Sequence, residues 1–314
     1  MKIVIIDAYT LNPGDLRWDV IEEFGDLAIY DRTPDTLILD RCKEADIILT
    51  NKVPLSEKII NAVPALRLIC VTATGYNIIN LEAARKRNIT VCNVPNYGTA
   101  SVAQHTFALL LELTNHVGIN SASVRDGDWQ RSIDFCYTKE SLTELSGKTF
   151  GIIGFGKIGE KVATLAKAFE MNVIYHSRTK KDTVQAKYVD LETLFSSSDV
   201  ISVHCPLTKD NDQFINRELL THIKPTAWII NTSRGQLINE KDLADALNTR
   251  RLAGAALDVL STEPPPNSNP LLKAKNCIIT PHNAWMSREA RARMLMITKQ
   301  NIEGFINGKP RNVV

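Results

Sequence analysis

Short apolar runs and amphipathic stretches alternate along this chain from its first residues to its last. Residues 2–6, 27–30, 47–49, 68–71 and 89–91 are runs of β-branched and aliphatic residues of strand length. Between them, residues 18–24, 36–45, 57–62 and 81–86 space their apolar positions as helices do. The strand-like runs are apolar throughout rather than alternating, which predicts parallel strands covered by helices on both faces. Ser101 then opens a long apolar helix, residues 102–115, with no proline to interrupt it. Residues 118–147 read as a less regular segment carrying Trp129, Phe135 and Tyr137. From Lys148 a second strand-and-helix series follows, with strands expected at 152–153, 173–175, 200–203, 228–230, 255–257 and 277–279. Ser287 with Glu289 starts a final helix that ends near Gly308.

The turn that opens the second series is Gly154-Phe155-Gly156-Lys157-Ile158-Gly159, between the apolar run 150–153 and the amphipathic pattern Val162, Leu165, Ala166, Phe169. Strand, glycine turn, helix and strand together are the context of a dinucleotide-binding site. The first glycine permits the tight turn, the second lets backbone approach a pyrophosphate, and the third lets helix pack on strand. The helix N-terminus adds amides and a positive dipole end. A complete dinucleotide fold runs forward from here, so the preceding half of the chain is a different unit. At the end of the next strand, where a carboxylate would take the ribose 2′-hydroxyl of NAD, stand Ser177-Arg178-Thr179-Lys180-Lys181. A 2′-phosphate finds a hydroxyl and a guanidinium there with no carboxylate to repel it. The turn therefore favours NADP(H), with NAD(H) use still open.

At 314 residues the chain is long for one core, and two domains are expected. A formal charge of +2 supplies no basic stripe for nucleic acid. The cysteines (Cys42, Cys70, Cys92, Cys136, Cys205, Cys277) form no C-x-x-C pair, so reduced thiols are expected and no metal site. No signal peptide and no bilayer-length apolar stretch is read, and a cytoplasmic protein without a membrane partner is the expectation.

Three features follow expected strand ends, where open α/β sheets place their ligands. They are Asn231-Thr232-Ser233-Arg234-Gly235, Asp258-Val259-Leu260-Ser261-Thr262-Glu263-Pro264, and Pro281-His282-Asn283-Ala284-Trp285. Arg234 between a strand end and a glycine suits a grip on a carboxylate and polarises an adjacent carbonyl. His282 can give or take a proton near neutral pH. Glu263, held in a stiff turn by the prolines after it, is placed to pair with an imidazole. The other histidines (His105, His116, His176, His204, His222) read as structural.

The order G-x-G-x-x-G, N-T-x-R-G, D-V-x-x-x-E-P and T-P-H resembles the D-isomer-specific 2-hydroxyacid dehydrogenases over nearly the whole chain. Ala73–Asn77 (A-T-G-Y-N), Ala84–Ile89 (A-R-K-R-N-I) and Asn93–Pro95 (N-V-P) extend the likeness into the N-terminal part. Segments such as residues 12–16, 30–33, 50–53, 134–137 and 281–285 bring it nearest the hydroxypyruvate reductase, or glycerate dehydrogenase, branch. The resemblance implies two doubly wound α/β domains. One is a flavodoxin-like substrate domain of residues 1–99 plus 287–314, and the other an inserted Rossmann dinucleotide-binding domain of residues 100–286. It implies an NAD(P)-dependent oxidoreductase that reduces a small 2-oxo acid, hydroxypyruvate or glyoxylate, to D-glycerate or glycolate. His282 would be the general acid with Glu263 hydrogen-bonded behind it. Arg234 would bind the 2-oxo group and carboxylate, and the amides of Thr74 and Gly75 would hold the carboxylate from the other side, with Trp285 also at the substrate. Gly154, Gly156, Lys157, Ile158 and Gly159 would meet the pyrophosphate. Ser177, Arg178, Thr179, Cys205 and Pro206 would pass along the adenosine side. Thr232 and Asp258 complete the cofactor set, Asp258 at the nicotinamide carboxamide. A homodimer built on the helix after Ser101 and the segment to Gly147 is also implied, with Trp129, Phe135 and Tyr137 as interface anchors or core residues.

Other readings use the same residues differently. A D-lactate-type or D-3-phosphoglycerate-type dehydrogenase shares every motif, and an NAD(P)-sensing module would keep the fold without the reaction. A glycine-turn methyltransferase predicts no arginine, glutamate and histidine at successive strand ends.

Overall fold

Strands buried on both faces need helices on both faces, and that requirement organises the chain. The computed structural model describes residues 1–181 and 185–314. The chain divides into two units, Met1–Gly98 with Met286–Val314, and Thr99–Trp285.

In the first unit β1 (Lys2–Ile5), β2 (Asp26–Ile29), β3 (Ile47–Thr50), β4 (Leu68–Val71) and β5 (Thr90–Cys92) pair in parallel in the order β2-β1-β3-β4-β5. This is the flavodoxin-like order. β3 and β4 are buried along their whole length, as continuous apolar runs predict. Five short helices accompany the strands: α1 (Ala8–Leu11), α2 (Asp19–Glu22), α3 (Ile38–Cys42), α4 (Glu57–Ala62) and α5 (Leu81–Lys86). α4 and α5 start where Ser56 and Asn80 accept hydrogen bonds from the Ile59 and Ala83 amides. α2 is shorter than residues 18–24, and residues 36–45 divide into a 3-10 turn, Asp35–Leu37, and α3. The last helix of the chain, α12 (Arg288–Ile306), belongs to this unit. Ser287 caps it through the Ala290 amide, and Leu295 and Ile302 join Ile3, Leu68 and Cys70 in one core.

The second unit begins with α6 (Thr99–Asn115), two residues ahead of the expected start at Ser101. His116 then takes a left-handed backbone (φ +50), and α7 (Val117–Arg125) follows. The segment 118–147, expected to be less regular, is helical in its first part. Then come β6 (Thr149–Ile153), α8 (Lys157–Ala168), β7 (Asn172–His176), β8 (Lys187–Tyr188), α9 (Leu191–Ser197), β9 (Val200–Val203), α10 (Arg217–Leu220), β10 (Trp228–Asn231), α11 (Glu240–Asn248), β11 (Gly254–Leu257) and β12 (Cys277–Ile279). They form one parallel sheet in the order β12-β11-β10-β9-β6-β7-β8. The strand order reverses between β6 and β9, as in a Rossmann dinucleotide fold. Among the described residues the sheet has one strand more than the six expected. The addition, β8, is a two-residue edge strand with no apolar run to announce it. Among the described residues no helix is long and apolar enough to cross a membrane.

Candidate active site

The glycines of the β6–α8 turn do three different jobs. Gly154 sits at φ +93, and a Cβ there would lie 2.5 Å from the Cys205 amide nitrogen, so turn and loop backbones touch. A Cβ on Gly159 would lie 2.3 Å from the Gly154 carbonyl oxygen, so only glycine lets α8 rest on the turn. Gly156 caps α8, and a Cβ there would meet nothing within 4 Å. That open space faces the start of a twelve-residue helix whose first turn, Lys157 and Ile158 included, receives no side-chain cap from Gly156. These are the features a dinucleotide pyrophosphate needs from a protein, namely exposed amides, a dipole end and room.

Beyond β7 the Ser177 hydroxyl donates to the Thr179 carbonyl (2.6 Å). Lys181 is held by Glu160 (2.7 Å) from the first turn of α8. Arg178 is half-buried, and among the described residues no ion pair engages it. After β9 come His204, Cys205 and Pro206. The Ser202 hydroxyl lies 2.8 Å from His204 Nε2, whereas His204 Nδ1 is buried and has no hydrogen-bond partner among the described residues. Burial depresses the His204 pKa to about 3 and raises the Cys205 thiol to about 11.

The loops after β10 and β11 touch because Gly235 has no side chain. A Cβ there would fall 1.9 Å from the Leu260 carbonyl carbon. Asn231 Nδ2 holds the Arg234 carbonyl (2.9 Å), and Arg234 Nη1 donates to the Ser233 carbonyl (2.7 Å). Thr232 lies beside Thr106 of α6, Oγ1 to Oγ1 3.4 Å. Gln236 Nε2 donates to the Ser261 carbonyl, and Glu240 accepts from both the Ser261 amide and its hydroxyl. The loop so fixed carries Glu263, whose Oε1 accepts from the Leu260 amide (3.0 Å) and whose Oε2 lies 2.6 Å from His282 Nδ1. With Nδ1 facing the carboxylate, Nε2 is the ring nitrogen left to exchange a proton.

His282 itself is in the left-handed region at φ +52, a strained setting for a side chain of its size. Asp258 over-determines it. The His282 amide donates to the Asp258 carbonyl (2.8 Å), and the next two amides, Asn283 and Ala284, donate to the Asp258 carboxylate (3.0 and 2.9 Å). Thr280 Oγ1 adds a bond of 2.6 Å, and His105 of α6 approaches Thr280 (3.1 Å) and Asp258 (3.5 Å). Burial acts to raise the Asp258 pKa. The hydrogen bonds from His105, Thr280 and the two amides outweigh it and hold the carboxyl below its ordinary value. The expected contact of Asp258 with a carboxamide thus meets a carboxylate already engaged by four groups. His105 joins this cluster although nothing in its local sequence distinguishes it from a packing histidine. Ser101 Oγ closes the far side of the turn on the Ala284 carbonyl (2.6 Å), next to half-buried Trp285.

Thr74 and Gly75 lie after β4 in the first unit. The carbonyls of Thr72, Ala73 and Thr74 accept from Asn51 Nδ2 (2.5 Å), the Val94 amide (3.0 Å) and Asn93 Nδ2 (2.7 Å). No hydrogen bond from the amides of Thr74 or Gly75 is found among the described residues. The structure therefore gathers Arg234, Glu263, His282 and Asp258 on neighbouring loops of the second unit, and presents Thr74 and Gly75 as unengaged donors in the first.

Residues 107–284 match the sequence model of the D-isomer specific 2-hydroxyacid dehydrogenase, NAD binding domain. The chain is 45% identical to a hydroxypyruvate reductase of Blautia hydrogenotrophica, with 100% of this chain and 99% of that protein covered. It is 37% identical to a glycerate dehydrogenase of Methylorubrum extorquens, with 100% and 98% covered. Among solved structures it is similar to an acyclic imino acid reductase (Bsp5) in complex with NADPH and D-Arg, at a TM-score of 0.88 and 32% identity with both chains fully covered.

Proposed function

The chain belongs to the D-isomer specific 2-hydroxyacid dehydrogenase family, and we propose that it reduces hydroxypyruvate or glyoxylate to D-glycerate or glycolate with NAD(P)H. The observation that carries this reading is the hydrogen-bonded Glu263–His282 pair, with Glu263 on the loop that packs against Gly235, next to Arg234. When bound, the nicotinamide supplies the hydride that reaches C2 of the 2-oxo acid. His282 Nε2 gives its proton to the oxygen formed at C2, and Glu263 holds the ring in the orientation that allows it. Arg234 binds the 2-oxo group and carboxylate and stabilises the charge that develops on the oxygen. The amides of Thr74 and Gly75 hold the substrate carboxylate, and Trp285 lies at the substrate. Asp258 keeps the His282 turn in its left-handed form, which fits its four hydrogen-bond partners. Residues of the β6–α8 turn, Gly154, Gly156, Lys157, Ile158 and Gly159, meet the pyrophosphate, and Cys205, Pro206 and Thr232 border the cofactor.

The cofactor is NADP(H) in preference to NAD(H) on this reading. Ser177, Arg178 and Thr179 present no carboxylate to repel a 2′-phosphate. The Ser177 hydroxyl is spent on the Thr179 carbonyl, and the ion pair of Lys181 with Glu160 leaves the Arg178 guanidinium to take the phosphate.

A homodimer is proposed on the segment around α7. Between residues 117 and 142 of the chain six large apolar side chains are exposed, Val117, Ile119, Trp129, Ile133 (102%), Phe135 (88%) and Leu142, and Trp129 Nε1 donates to the Phe135 carbonyl (3.0 Å). Tyr137 is instead tied inward, its hydroxyl 2.7 Å from Ser123 of α7. Light scattering at twice the chain mass of 35.0 kDa is the expected result, and a monomer at micromolar concentration sinks it.

Steady-state kcat/KM for hydroxypyruvate, glyoxylate, pyruvate and phosphohydroxypyruvate, each with NADPH and NADH, tests the function. Preference for the first two supports it, and absence of cofactor oxidation with all four overturns it.

A further inference from the structure

We propose that Asn93, braced by Asn301 and Asn312, is a positioning residue that aims the Thr74 and Gly75 amides at the substrate carboxylate. The inference rests on the reading of those amides as the carboxylate donors. In a trans peptide the N–H points opposite to the C=O of the same unit. The Gly75 N–H therefore shares its plane with the Thr74 carbonyl, and the Thr74 N–H with the Ala73 carbonyl. Asn93 Nδ2 grips the Thr74 carbonyl (2.7 Å), and the next residue, Val94, grips the Ala73 carbonyl through its amide (3.0 Å). Thr74 Oγ1 returns a bond to the Val94 carbonyl (2.9 Å). Two adjacent residues thus fix both donors and turn both carbonyl dipoles away from the anion. Bonds in series also polarise the peptide, which strengthens each N–H as a donor.

Asn93 does not hold itself. Its carbonyl accepts from Asn301 Nδ2 of α12 (2.9 Å), and its amide donates to the Asn312 carbonyl (3.0 Å). Asn312 Nδ2 closes the set on Asn301 Oδ1 (2.8 Å). Asn301 is completely buried and Asn93 nearly so. A polar side chain is buried at a cost unless the groups it carries are bonded, and the buried Asn301 has both bonded, Nδ2 to the Asn93 carbonyl and Oδ1 to Asn312 Nδ2, which fixes its orientation. The C-terminal segment thereby holds the backbone of Asn93, whose side chain holds the carboxylate loop, a link that the separation of 208 residues hides from local sequence reading.

The test compares wild type, Asn93→Ala and Asn301→Ser by KM and kcat for hydroxypyruvate and glyoxylate, NADPH affinity, and the Kd of oxamate, an unreactive carboxylate with a neighbouring carbonyl. Val91→Ala, which truncates the core of the adjacent strand, controls for lost stability. A hydrogen bond that serves a charged partner is worth about tenfold or more when lost. Asn93→Ala is expected to raise KM and oxamate Kd about tenfold, with kcat within about threefold and NADPH affinity unchanged. Asn301→Ser is expected to move the same two constants less, and Val91→Ala neither. KM and oxamate Kd within twofold of wild type overturn the inference while the function stands, and so does a loss confined to kcat. If wild type binds oxamate but reduces no 2-oxo acid, the functional reading fails and the oxamate constants still decide the role of Asn93. If wild type does neither, both fall. Should Asn93→Ala not fold, Asn301→Ser carries the same comparison.

Discussion

Glu263 Oε2 and His282 Nδ1 are 2.6 Å apart, and the two residues come from loops after different strands, β11 and β12. A carboxylate in this place orients an imidazole and stabilises its charged form as the proton moves, and loss of such a partner costs catalytic histidines up to about four orders of magnitude in kcat. Glu263→Gln keeps the shape and removes the charge. Its kcat is expected to fall by about 10² or more, with NADPH affinity within about twofold, and His282→Asn is expected to fall at least as far. Single-turnover rates and fluorescence titration separate the two quantities. Normal turnover in either variant removes the pair from the mechanism.

Arg178 is expected to discriminate between the two nicotinamide cofactors. A charge-assisted hydrogen bond to a phosphate is worth about 1.5–3 kcal/mol, or roughly 10- to 100-fold in affinity. Arg178→Ala should weaken NADPH binding by that factor and leave NADH within about twofold. Ser177→Asp, which restores a carboxylate at the strand end, should reverse the preference. Equal losses for both cofactors in Arg178→Ala would refute the 2′-phosphate argument.

His204 should make the folded state sensitive to mild acid. Its imidazole is neutral in the fold, with a pKa depressed to about 3 by burial, and the unfolded chain titrates near the ordinary value of 6.5. Below that ordinary value the unfolded state takes up a proton that the folded state refuses. Stability therefore falls as pH drops through 6.5 toward 3, by about 1.4 kcal/mol per pH unit at most. His204→Gln, which retains an amide for Ser202 but cannot protonate, should show a flatter decline between pH 6.5 and 5. Urea unfolding of both proteins without cofactor measures the difference, and parallel slopes would count against it.

Features made by neighbours in sequence are legible in it, and features made across the fold are not. The apolar runs, the glycine spacing and the cap at Ser287 are local, and the strands and helices they predict are found with shifted ends. β8 escapes notice because two residues at a sheet edge need no apolar pattern, and α7 because its apolar positions face outward. The strand orders of both sheets follow from helix crossovers and not from any single segment. Within the site, Arg234, Glu263 and His282 are visible as reactive residue types at strand ends. His105 and Asn93 are not, because each looks like a packing residue until its distant partner is in place. Asp258 is visible but its engagement is not, since three of its donors come from the 280–284 turn.

The glycine turn offers a test that separates room for the fold from room for the cofactor. A methyl on Gly154 must adopt φ +93 and meet the backbone of Cys205, and one on Gly159 meets the Gly154 carbonyl. Both substitutions overpack the β6–α8 junction, and each is expected to cost about 1–3 kcal/mol of stability. Gly156 has ordinary backbone angles (φ −84, ψ −167) and open space where its Cβ would go. Gly156→Ala is therefore expected to fold with its melting temperature within about 2 °C of wild type, since about 1 kcal/mol moves a chain of this size by only a few degrees. Its affinity for NADPH should nonetheless fall by about tenfold or more, because the methyl takes the space through which a pyrophosphate reaches the first amides of α8. Melting curves with and without NADPH read both effects from one set of samples. A Gly156→Ala protein that the cofactor stabilises as much as wild type would place the pyrophosphate elsewhere. A destabilised one would mean that the space at Gly156 serves the fold.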